Sequence, residues 1–174
     1  MSAHDRGHVE RVTRLARYIA AREGADVEVV SVAAELHDLA RGEPDHAERS
    51  AERAREILRA RGCPEGFIER VVHCIEAHSF SGGVEPRTLE AQVLSDADKL
   101  DAMGAIGVAR AFLYSGEVGR SLEETLRHFE EKLLVLRDSL YTETARELGR
   151  ARHGFLMEFY RRLREELSGI TRST

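Results

Sequence analysis

The sequence predicts an all-α protein that folds as one compact domain. Apolar residues recur at steps of three and four along almost the whole chain, which is the period of a helix with one buried face. Signals for strands are few, because the chain has three prolines, no tryptophan and only 6% aromatic residues. Its 174 residues also match the roughly 100 to 200 residues of a single globular domain.

Turn-forming and capping residues mark the helices of the first half of the chain. Gly24 is expected to end the first helix, and Asp26 is expected to cap the second. The turn Glu43-Pro44-Asp45 separates the second helix from the third, which Gly62 closes. The predicted helices cover about residues 5–22, 26–42, 46–61 and 64–78.

The second half begins with a loop rich in turn formers, at residues 79–86, which should lie at the rim of the fold. A long apolar segment follows at about 88–114 and is interrupted by Gly104 and Gly107. Two further helices are expected near residues 122–140 and 142–167. The last residues, 168–174, are predicted to fray, as chain ends do when nothing holds them.

Charge and composition exclude several classes of function. The 26 Lys and Arg residues against 31 Asp and Glu residues give a formal net charge of -5, which argues against a nucleic-acid polymer as the partner. No stretch approaches the roughly 18 apolar residues of a membrane span, so no membrane partner is expected. Cys63 and Cys74 make neither a disulfide framework nor a zinc knuckle, and no apolar leader follows Met1. We therefore expect a reduced, cytoplasmic protein.

Ligand-type side chains occur at three separated places in the chain. The pair His37-Asp38 stands among apolar residues near a helix end, where a satisfied histidine is the simplest alternative to a ligand. His8 lies on the first predicted helix, and Asp96, Asp98 and Asp101 interrupt an apolar helix. A buried carboxylate must be paired or bind a cation. Two imidazoles with two carboxylates favour a Mn, Fe, Co or Mg ion over a closed structural zinc site.

These motifs and their order resemble the HD-domain superfamily of metal-dependent phosphohydrolases. More narrowly, they are similar to a small bacterial and archaeal branch that includes a nucleoside triphosphate pyrophosphatase. The resemblance extends from about Asp5 to Glu166 and implies a single HD domain over residues 1–174. Six segments carry it: His4-Asp5-x-x-His8-x-x-Arg11-Val12, Leu36-His37-Asp38, Asp45-His46 with Ser50-Ala51, His78-Ser79-Phe80, residues 96–107 and residues 128–134.

The resemblance implies which residues bind the metal. The family's ligands fall on His8, His37, Asp38 and Asp98. His4-Asp5 also spells the His-Asp pair, but the first ligand of the family matches the histidine three residues before the arginine of that motif. On the later helix the family pattern selects Asp98, with Asp96 as the alternative. The cofactor is then a divalent ion, with Mn as the first choice and Mg, Co, Ni or Fe as alternatives.

Two more histidines, His46 and His78, match positions that hold a second ion in two-metal relatives. The alternative is that they hydrogen-bond a substrate phosphate or carry a proton, which suits an imidazole near neutral pH. For Lys132 a solvated helix face is the alternative to a substrate contact. The expected substrate-binding residues are His78, Lys99, Arg110, His128 and Lys132.

The expected function is hydrolysis of a small phosphorylated substrate. A bound ion would lower the pKa of a water molecule from about 15.7 towards about 7, and Asp101 or His46 would accept the proton. By resemblance, the substrate is a nucleoside or deoxynucleoside triphosphate that is cleaved to the monophosphate and pyrophosphate. A 5′-nucleotidase, a phosphodiesterase, a non-catalytic nucleotide sensor and a di-iron oxygenase are the alternatives. The sequence leaves a homodimer open.

Overall fold

Helices are the only regular secondary structure in residues 6–79 and 83–169, the part of the chain that the computed structural model describes. The α-helices in this part are α1 (Arg6–Glu23), α2 (Val27–Leu36), α3 (His46–Ala60), α4 (Glu65–Glu76), α5 (Leu89–Asp101), α6 (Gly104–Val118), α7 (Leu122–His128) and α8 (Glu143–Leu167). A π turn (Phe129–Leu133) and a 3₁₀ turn (Leu136–Ser139) connect α7 to α8. The all-α prediction is confirmed.

Helix α5 lies at the centre of the bundle, where it packs against α1, α2, α4, α6 and α8. Most of its residues from Ala91 to Asp101 are buried, and these include acids and a lysine. Buried polar groups must find partners inside the protein, because leaving one of them unpaired costs roughly 2 to 7 kcal/mol. The ionisable residues of α5 therefore bond to other helices, and these bonds place them for the site described below.

Helix α2 is shorter than predicted, since it ends at Leu36 instead of about residue 42. Side chains compete for the backbone groups at this point. The Nδ1 atom of His37 donates to the Ala34 carbonyl at 2.7 Å, and the Ala40 N–H donates to the Ser50 hydroxyl of α3 at 3.0 Å. Residues 37–44 consequently form a series of turns, so His37 stands at the helix end and Asp38 just beyond it.

The predicted helix at 122–140 is divided into α7, the π turn and the 3₁₀ turn, so a continuous helix was wrong. The division coincides with the full burial of Phe129, whose ring centre lies 6.0 Å from those of Phe112 of α6 and Phe159 of α8. The start of α8 agrees with the prediction, and the Thr142 side chain caps it by accepting from the Ala145 N–H.

The predicted interruption of the apolar segment at 88–114 is a corner between α5 and α6. Gly107 of α6 stands against the backbone of Ala102, and a Cβ atom at Gly107 would lie 2.2 Å from the Ala102 carbonyl oxygen. No side chain fits that gap, so glycine is required for this close approach.

At the chain end, Ser168 caps α8, whereas residues 170–174 of the predicted frayed tail lie outside the described residues. Across the described ranges, no helix combines the length and the apolar character needed to span a bilayer. Most of the buried apolar residues in the described ranges form one cluster, to which helices from both halves of the chain contribute.

Candidate active site

Three helices bring the four predicted metal ligands together. His8 lies on α1, His37 and Asp38 follow the last turn of α2, and Asp98 lies on α5. The Nε2 atoms of His8 and His37 are 3.3 Å apart. Carboxylate oxygens of Asp38 and Asp98 lie 3.4 Å and 3.5 Å from the same Nε2 atom of His8. Donor atoms of His8, His37 and Asp98 lie within 4.8 Å of one another, and Asp38 adds an oxygen beside His8.

The partner of each Nδ1 atom sets the orientation of the imidazole rings. The Nδ1 atom of His37 faces the Ala34 carbonyl, and that of His78 faces the Ile75 carbonyl. A carbonyl oxygen only accepts hydrogen bonds, so both rings carry a proton on Nδ1 and turn Nε2 away from the backbone. The local helix geometry thus presents two Nε2 atoms to the site before any ligand is bound.

Asp101 is buried behind His8 and accepts a hydrogen bond from its Nδ1 atom at 2.8 Å. The Arg11 Nε atom donates to the same carboxylate at 2.7 Å, and Arg110 forms a further ion pair with it. Burial raises the pKa of Asp101, but the bonds from His8 and Arg11 and the Arg110 charge outweigh burial and hold the pKa well below its ordinary value. The arrangement keeps the proton of His8 on Nδ1 and leaves Nε2 for a metal.

The donor set fits a divalent metal ion. With their protons on Nδ1, the Nε2 atoms of His8 and His37 are both acceptors, and two lone pairs that face each other at 3.3 Å repel unless a cation lies between them. The carboxylates of Asp38 and Asp98 add negative charge at the same place. Ligands bound to one ion at about 2.0 to 2.6 Å lie about 3 to 4 Å from their neighbours. The distances from the Nε2 atom of His8 to the donor atoms of His37, Asp38 and Asp98 fall in that range.

Asp96 and Asp98 lie two residues apart on α5 but face nearly opposite sides, since successive helical residues turn by about 100°. Asp96 is fully buried and accepts hydrogen bonds from the N–H groups of Tyr141 and Thr142 at 2.9 Å and 2.8 Å. Asp98 keeps 26% of its side chain exposed and stands beside His8. Asp96 therefore holds the start of α8. The other alternative ligand, His4, lies outside the described residues.

The carboxyl groups of Asp38 and Asp98 are both held in the ionised form. Burial raises the pKa of Asp38, but the charge that His37 carries when protonated and the charge of Arg41 outweigh burial and lower the pKa. For Asp98, burial is outweighed by the charges that His78 and His37 carry when protonated, and the pKa is again lowered. The ionised form is the one that binds a metal, so neither acid has to lose a proton first.

His46 and His78 extend the cluster of rings. The ring centre of the buried His78 lies 5.0 Å from that of His37 and 5.6 Å from that of His46. Burial lowers the pKa of His78 to about 4, and burial together with the Arg41 charge lowers the pKa of His46. His37, Asp38 and His78 offer a second group of donor atoms that lie within 4.8 Å of one another. Both histidines are thus neutral near neutral pH and adjoin the four ligands.

A cleft of about 700 Å³ opens from this cluster, with His46, His78 and Asp98 at one end. Most of the remaining wall comes from α6, α7 and the π and 3₁₀ turns, and the segment after α2 and the helix α5 also contribute. All five predicted substrate-binding residues line it. The cationic or protonatable side chains on the wall are Arg41, Lys99, Arg110, Arg120, His128 and Lys132. A concave surface of this charge attracts anions and can donate charge-assisted hydrogen bonds to phosphate oxygens.

Lys99 lines the cleft, but its ammonium group also holds the cleft wall in place. It is 3% exposed, donates to the Ser139 carbonyl at 2.8 Å and lies 4.4 Å from the ring centre of Tyr141. Burial lowers the pKa of Lys99, and the charges of Asp96 and Asp98 act in the opposite direction. Through its hydrogen bond to Ser139, Lys99 therefore holds the 3₁₀ turn against α5 beside the cleft.

Sequence reasoning did not assign site roles to Arg11, Arg41, Tyr114 or Arg120. Arg11 stands in the first motif, but its partner Asp101 is 90 residues away and is found only through the fold. Arg41 pairs with Asp38 at 3.3 Å, and its spacing of three residues from the His-Asp pair was a usable signal. Tyr114 and Arg120 belong to no motif, and only the cleft identifies them.

Comparison with known proteins identifies the family to which the chain belongs. The HD-domain profile matches residues 6–103, more than half of the chain, and spans all four candidate ligands. The chain belongs to the HD-domain family. This HD-domain protein is 40% identical to YpgQ of Bacillus subtilis in an alignment 182 residues long, which covers 99% of this chain and 89% of YpgQ.

Solved structures agree with this membership. The crystal structure of B. subtilis YpgQ in complex with ADP is similar with a TM-score of 0.83 and 39% identity, covering 98% of this chain and 93% of that one. An HD-superfamily hydrolase of Bacillus thuringiensis is similar with a TM-score of 0.76 and 31% identity, covering 95% and 87%. The predicted HD superfamily is confirmed, and the chain groups with HD-superfamily hydrolases. The profile ends at Met103, so the wall from α6 to the 3₁₀ turn lies beyond it.

Proposed function

We propose that the protein hydrolyses nucleoside or deoxynucleoside triphosphates to the monophosphate and pyrophosphate, with a divalent metal ion as cofactor. The observation that carries this proposal is the single cleft that joins the His/Asp cluster to a wall of cationic side chains. YpgQ, which was crystallised with ADP and matches this chain almost end to end, supports a nucleotide as the ligand. A triphosphate carries more charge than a monophosphate and makes better use of so many cations.

His8, His37, Asp38 and Asp98 would hold the ion. When bound, a divalent ion supplies Lewis acidity, which lowers the pKa of water and polarises a phosphoryl oxygen. The mixed nitrogen and oxygen donors support Mn²⁺ as the first choice, with Mg²⁺, Co²⁺, Ni²⁺ and Fe²⁺ as alternatives. Asp101 acts as a positioning residue, because its carboxylate orients the His8 ring.

His46 accepts the proton of the attacking water in this proposal. It lines the cleft beside His78, and its lowered pKa leaves it neutral and able to accept a proton near neutral pH. Asp101 suits this role less well, since His8, Arg11 and Arg110 already donate to its carboxylate and lower its pKa. Its buried position also separates it from the cleft.

Arg110, His128 and Lys132 neutralise the phosphate chain. They come from α6, α7 and the π turn, and all three face the same cleft as Asp98. Cations in fixed positions stabilise charge that develops on the phosphate oxygens without having to reorganise. Arg110 reaches both the cleft and Asp101, so it links the phosphate end of the cleft to the residue behind His8.

Phosphorus NMR with a panel of nucleotides tests the proposal. With Mn²⁺, Mg²⁺, Co²⁺ or Ni²⁺ present, pyrophosphate and a monophosphate should form from a triphosphate, and a chelator should stop the reaction. Orthophosphate from a monophosphate would overturn the proposed bond in favour of a nucleotidase. Silence across the panel would favour a nucleotide sensor, and two bound irons with visible absorption would favour an oxygenase. The variant Asp38→Ala serves as the inactive control.

A further inference from the structure

We propose that Tyr114, Glu117 and Arg120 form a nucleobase-binding subsite at the far end of the cleft from the His/Asp cluster. This assignment rests on the nucleotide substrate proposed above and adds the part of the nucleotide that the metal and the cations do not contact. Arg110, His128 and Lys132 would contact only the phosphates of the substrate. A nucleotide ligand needs a second surface for its base, and the cleft extends past the cations to provide one.

One face of α6 runs along the cleft. Gly107, Arg110, Ala111, Tyr114 and Glu117 all line it, and their spacing of three and four residues places them on a single stripe of the helix. Arg110 marks the phosphate end, because it pairs with Asp101 and acts on the charge of Asp98. At a rise of about 1.5 Å per residue, Tyr114 lies about 6 Å and Glu117 about 10 Å further along the helix axis.

This order matches the order of groups in a nucleotide. Ala111 lies between Arg110 and Tyr114, and its small side chain leaves room in the cleft wall for a sugar. A base attached to that sugar would then reach the ring of Tyr114. The stripe on α6 therefore presents, in sequence, a cation, a small residue and an aromatic ring.

Tyr114 and Arg120 are arranged as a stacking platform. The Arg120 guanidinium carbon lies 5.1 Å from the centre of the Tyr114 ring, which is 39% exposed. Gly119 ends α6 in the left-handed conformation with φ 71°, and the Arg120 N–H donates to the Ser115 carbonyl at 2.8 Å. This turn folds Arg120 back over the helix end. Aromatic rings and guanidinium planes are the side chains on which bases stack.

Glu117 provides the polar group of the subsite. Apart from Asp98, it is the only carboxylate among the described residues that line the cleft. A carboxylate would repel phosphate, so its place at the end away from Arg110 fits a different group of the ligand. Carboxylates accept hydrogen bonds from the amino groups of bases, as Asp and Glu do with cytosine. Glu117 should therefore favour bases that carry an exocyclic amino group over uracil.

The subsite is tested by calorimetric binding of ADP and of inorganic pyrophosphate to the full chain with Mn²⁺, with intact ADP confirmed after each titration. Tyr114→Ala should weaken ADP binding by at least about fivefold, which corresponds to one lost base stack, and should change pyrophosphate binding by less than about twofold. Tyr114→Phe should retain ADP affinity. Glu117→Gln should lower the preference for ADP over UDP by about threefold or more.

Tyr18→Ala is the matched control. Tyr18 is 49% exposed and carries the Arg22 guanidinium at 5.6 Å from its ring centre, but it lies on α1 outside the cleft. This variant should bind both probes as the wild type does. Equal losses for ADP and pyrophosphate in Tyr114→Ala, no loss for either, or a wild type that binds pyrophosphate but not ADP would each overturn the subsite. If the ADP result is as expected and no triphosphate is hydrolysed, the proposed reaction fails while the subsite stands.

Discussion

The two ends of the cleft are built in different ways. At the metal end, His8, His37 and His78 are each at most 1% exposed, and the Nδ1 atom of each is held by a carboxylate or a backbone carbonyl. Away from the metal ligands, the wall includes α7, a π turn and a 3₁₀ turn, and large side chains such as Tyr114 of α6 stand partly in solvent.

This difference separates the two tasks of the site. Ligand atoms must be held to within a fraction of an ångström for a metal to bind, which requires buried rings with second partners. Substrate contacts tolerate more adjustment of position. Short irregular helices allow this adjustment because fewer regular hydrogen bonds hold them. We therefore expect substitutions at the metal end to abolish activity and substitutions in the wall to reduce it in part.

The largest effect is expected from Asp38→Ala, which removes one of the four ligands. The rate should fall by more than about 100-fold, since even the partners of metal ligands cost 10- to 100-fold when lost. The fold should remain, because Asp38 is not part of the apolar core cluster. Circular dichroism and metal titration measure the two outcomes.

Asp26→Asn is the matched control for Asp38→Ala. Asp26 caps the other end of α2, and asparagine caps a helix equally well. This variant should retain the rate. Full metal-dependent activity in Asp38→Ala would show that the ion is held elsewhere, with Asp96 and His4 as the next positions to change.

The next largest effect is expected from Asp101→Asn, which alters the residue behind His8. Metal affinity should fall by about 10- to 100-fold. The free energy of unfolding of the metal-free chain should fall by about 3 kcal/mol, because Arg11 and Arg110 lose their buried anionic partner. Metal titration and urea unfolding measure these changes. Unchanged metal affinity would show that the His8 ring is oriented without Asp101.

The pH dependence of that loss has a definite sign. The pKa of Asp101 is lowered in the folded protein, so its stabilisation is present above the ordinary value of about 4 and is lost as the pH falls below it. The difference in unfolding free energy between the wild type and Asp101→Asn should stay constant from about pH 7 to about pH 5, where Asp101 is ionised in both the folded and the unfolded chain. The difference should shrink below about pH 4. A difference that grows on acidification would contradict the lowered pKa.

A graded effect is expected in the wall. Lys132→Ala should lower kcat/KM about tenfold, which corresponds to about 1.4 kcal/mol of lost stabilisation. Arg127→Ala is the control, because Arg127 is exposed on α7 and does not line the cleft. If both variants keep the wild-type rate, Lys132 belongs to a solvated helix face and the phosphate chain lies elsewhere in the cleft.

The smallest effect on the site is expected from Asp96→Ala, although it lies two residues from a ligand. The chain should lose about 1 to 3 kcal/mol of stability, because the N–H groups of Tyr141 and Thr142 lose their acceptor. Metal affinity should be unchanged in the folded fraction. A loss of metal binding at full stability would mean that the roles of Asp96 and Asp98 are reversed.

Much of this site could be predicted from the sequence, because ligand-type residues are rare among apolar neighbours. His37-Asp38 and the carboxylates of the later helix stand out for this reason, whereas the resemblance to HD-domain phosphohydrolases selected His8 over His4 and Asp98 over Asp96. The helical period predicts that Asp96 and Asp98 face different sides. Which side faces the metal depends on how α5 is buried. That is a property of the whole core and not of the local sequence.

Other parts of the site depend on contacts that no local pattern contains. The end of α2 at Leu36 depends on Ser50 of another helix, and the role of Asp101 depends on Arg11 and His8, some 90 residues away. The break after α7 accompanies the packing of Phe129 between two distant helices. The prediction of a long helix there followed the apolar period correctly but had no information on this packing.

The tight corner at Gly107 limits how the specificity of this enzyme scaffold could be redesigned. Because a side chain at Gly107 would meet the Ala102 carbonyl oxygen, the end of the helix that carries Asp98 and the first turns of the helix that carries Tyr114 approach this closely only while residue 107 is glycine. A side chain that reaches into the cleft from position 107 is thus excluded. An engineer or natural selection would instead have to exchange side chains along the fixed α6 stripe, or rebuild the segment from Leu122 to Ser139 that faces it.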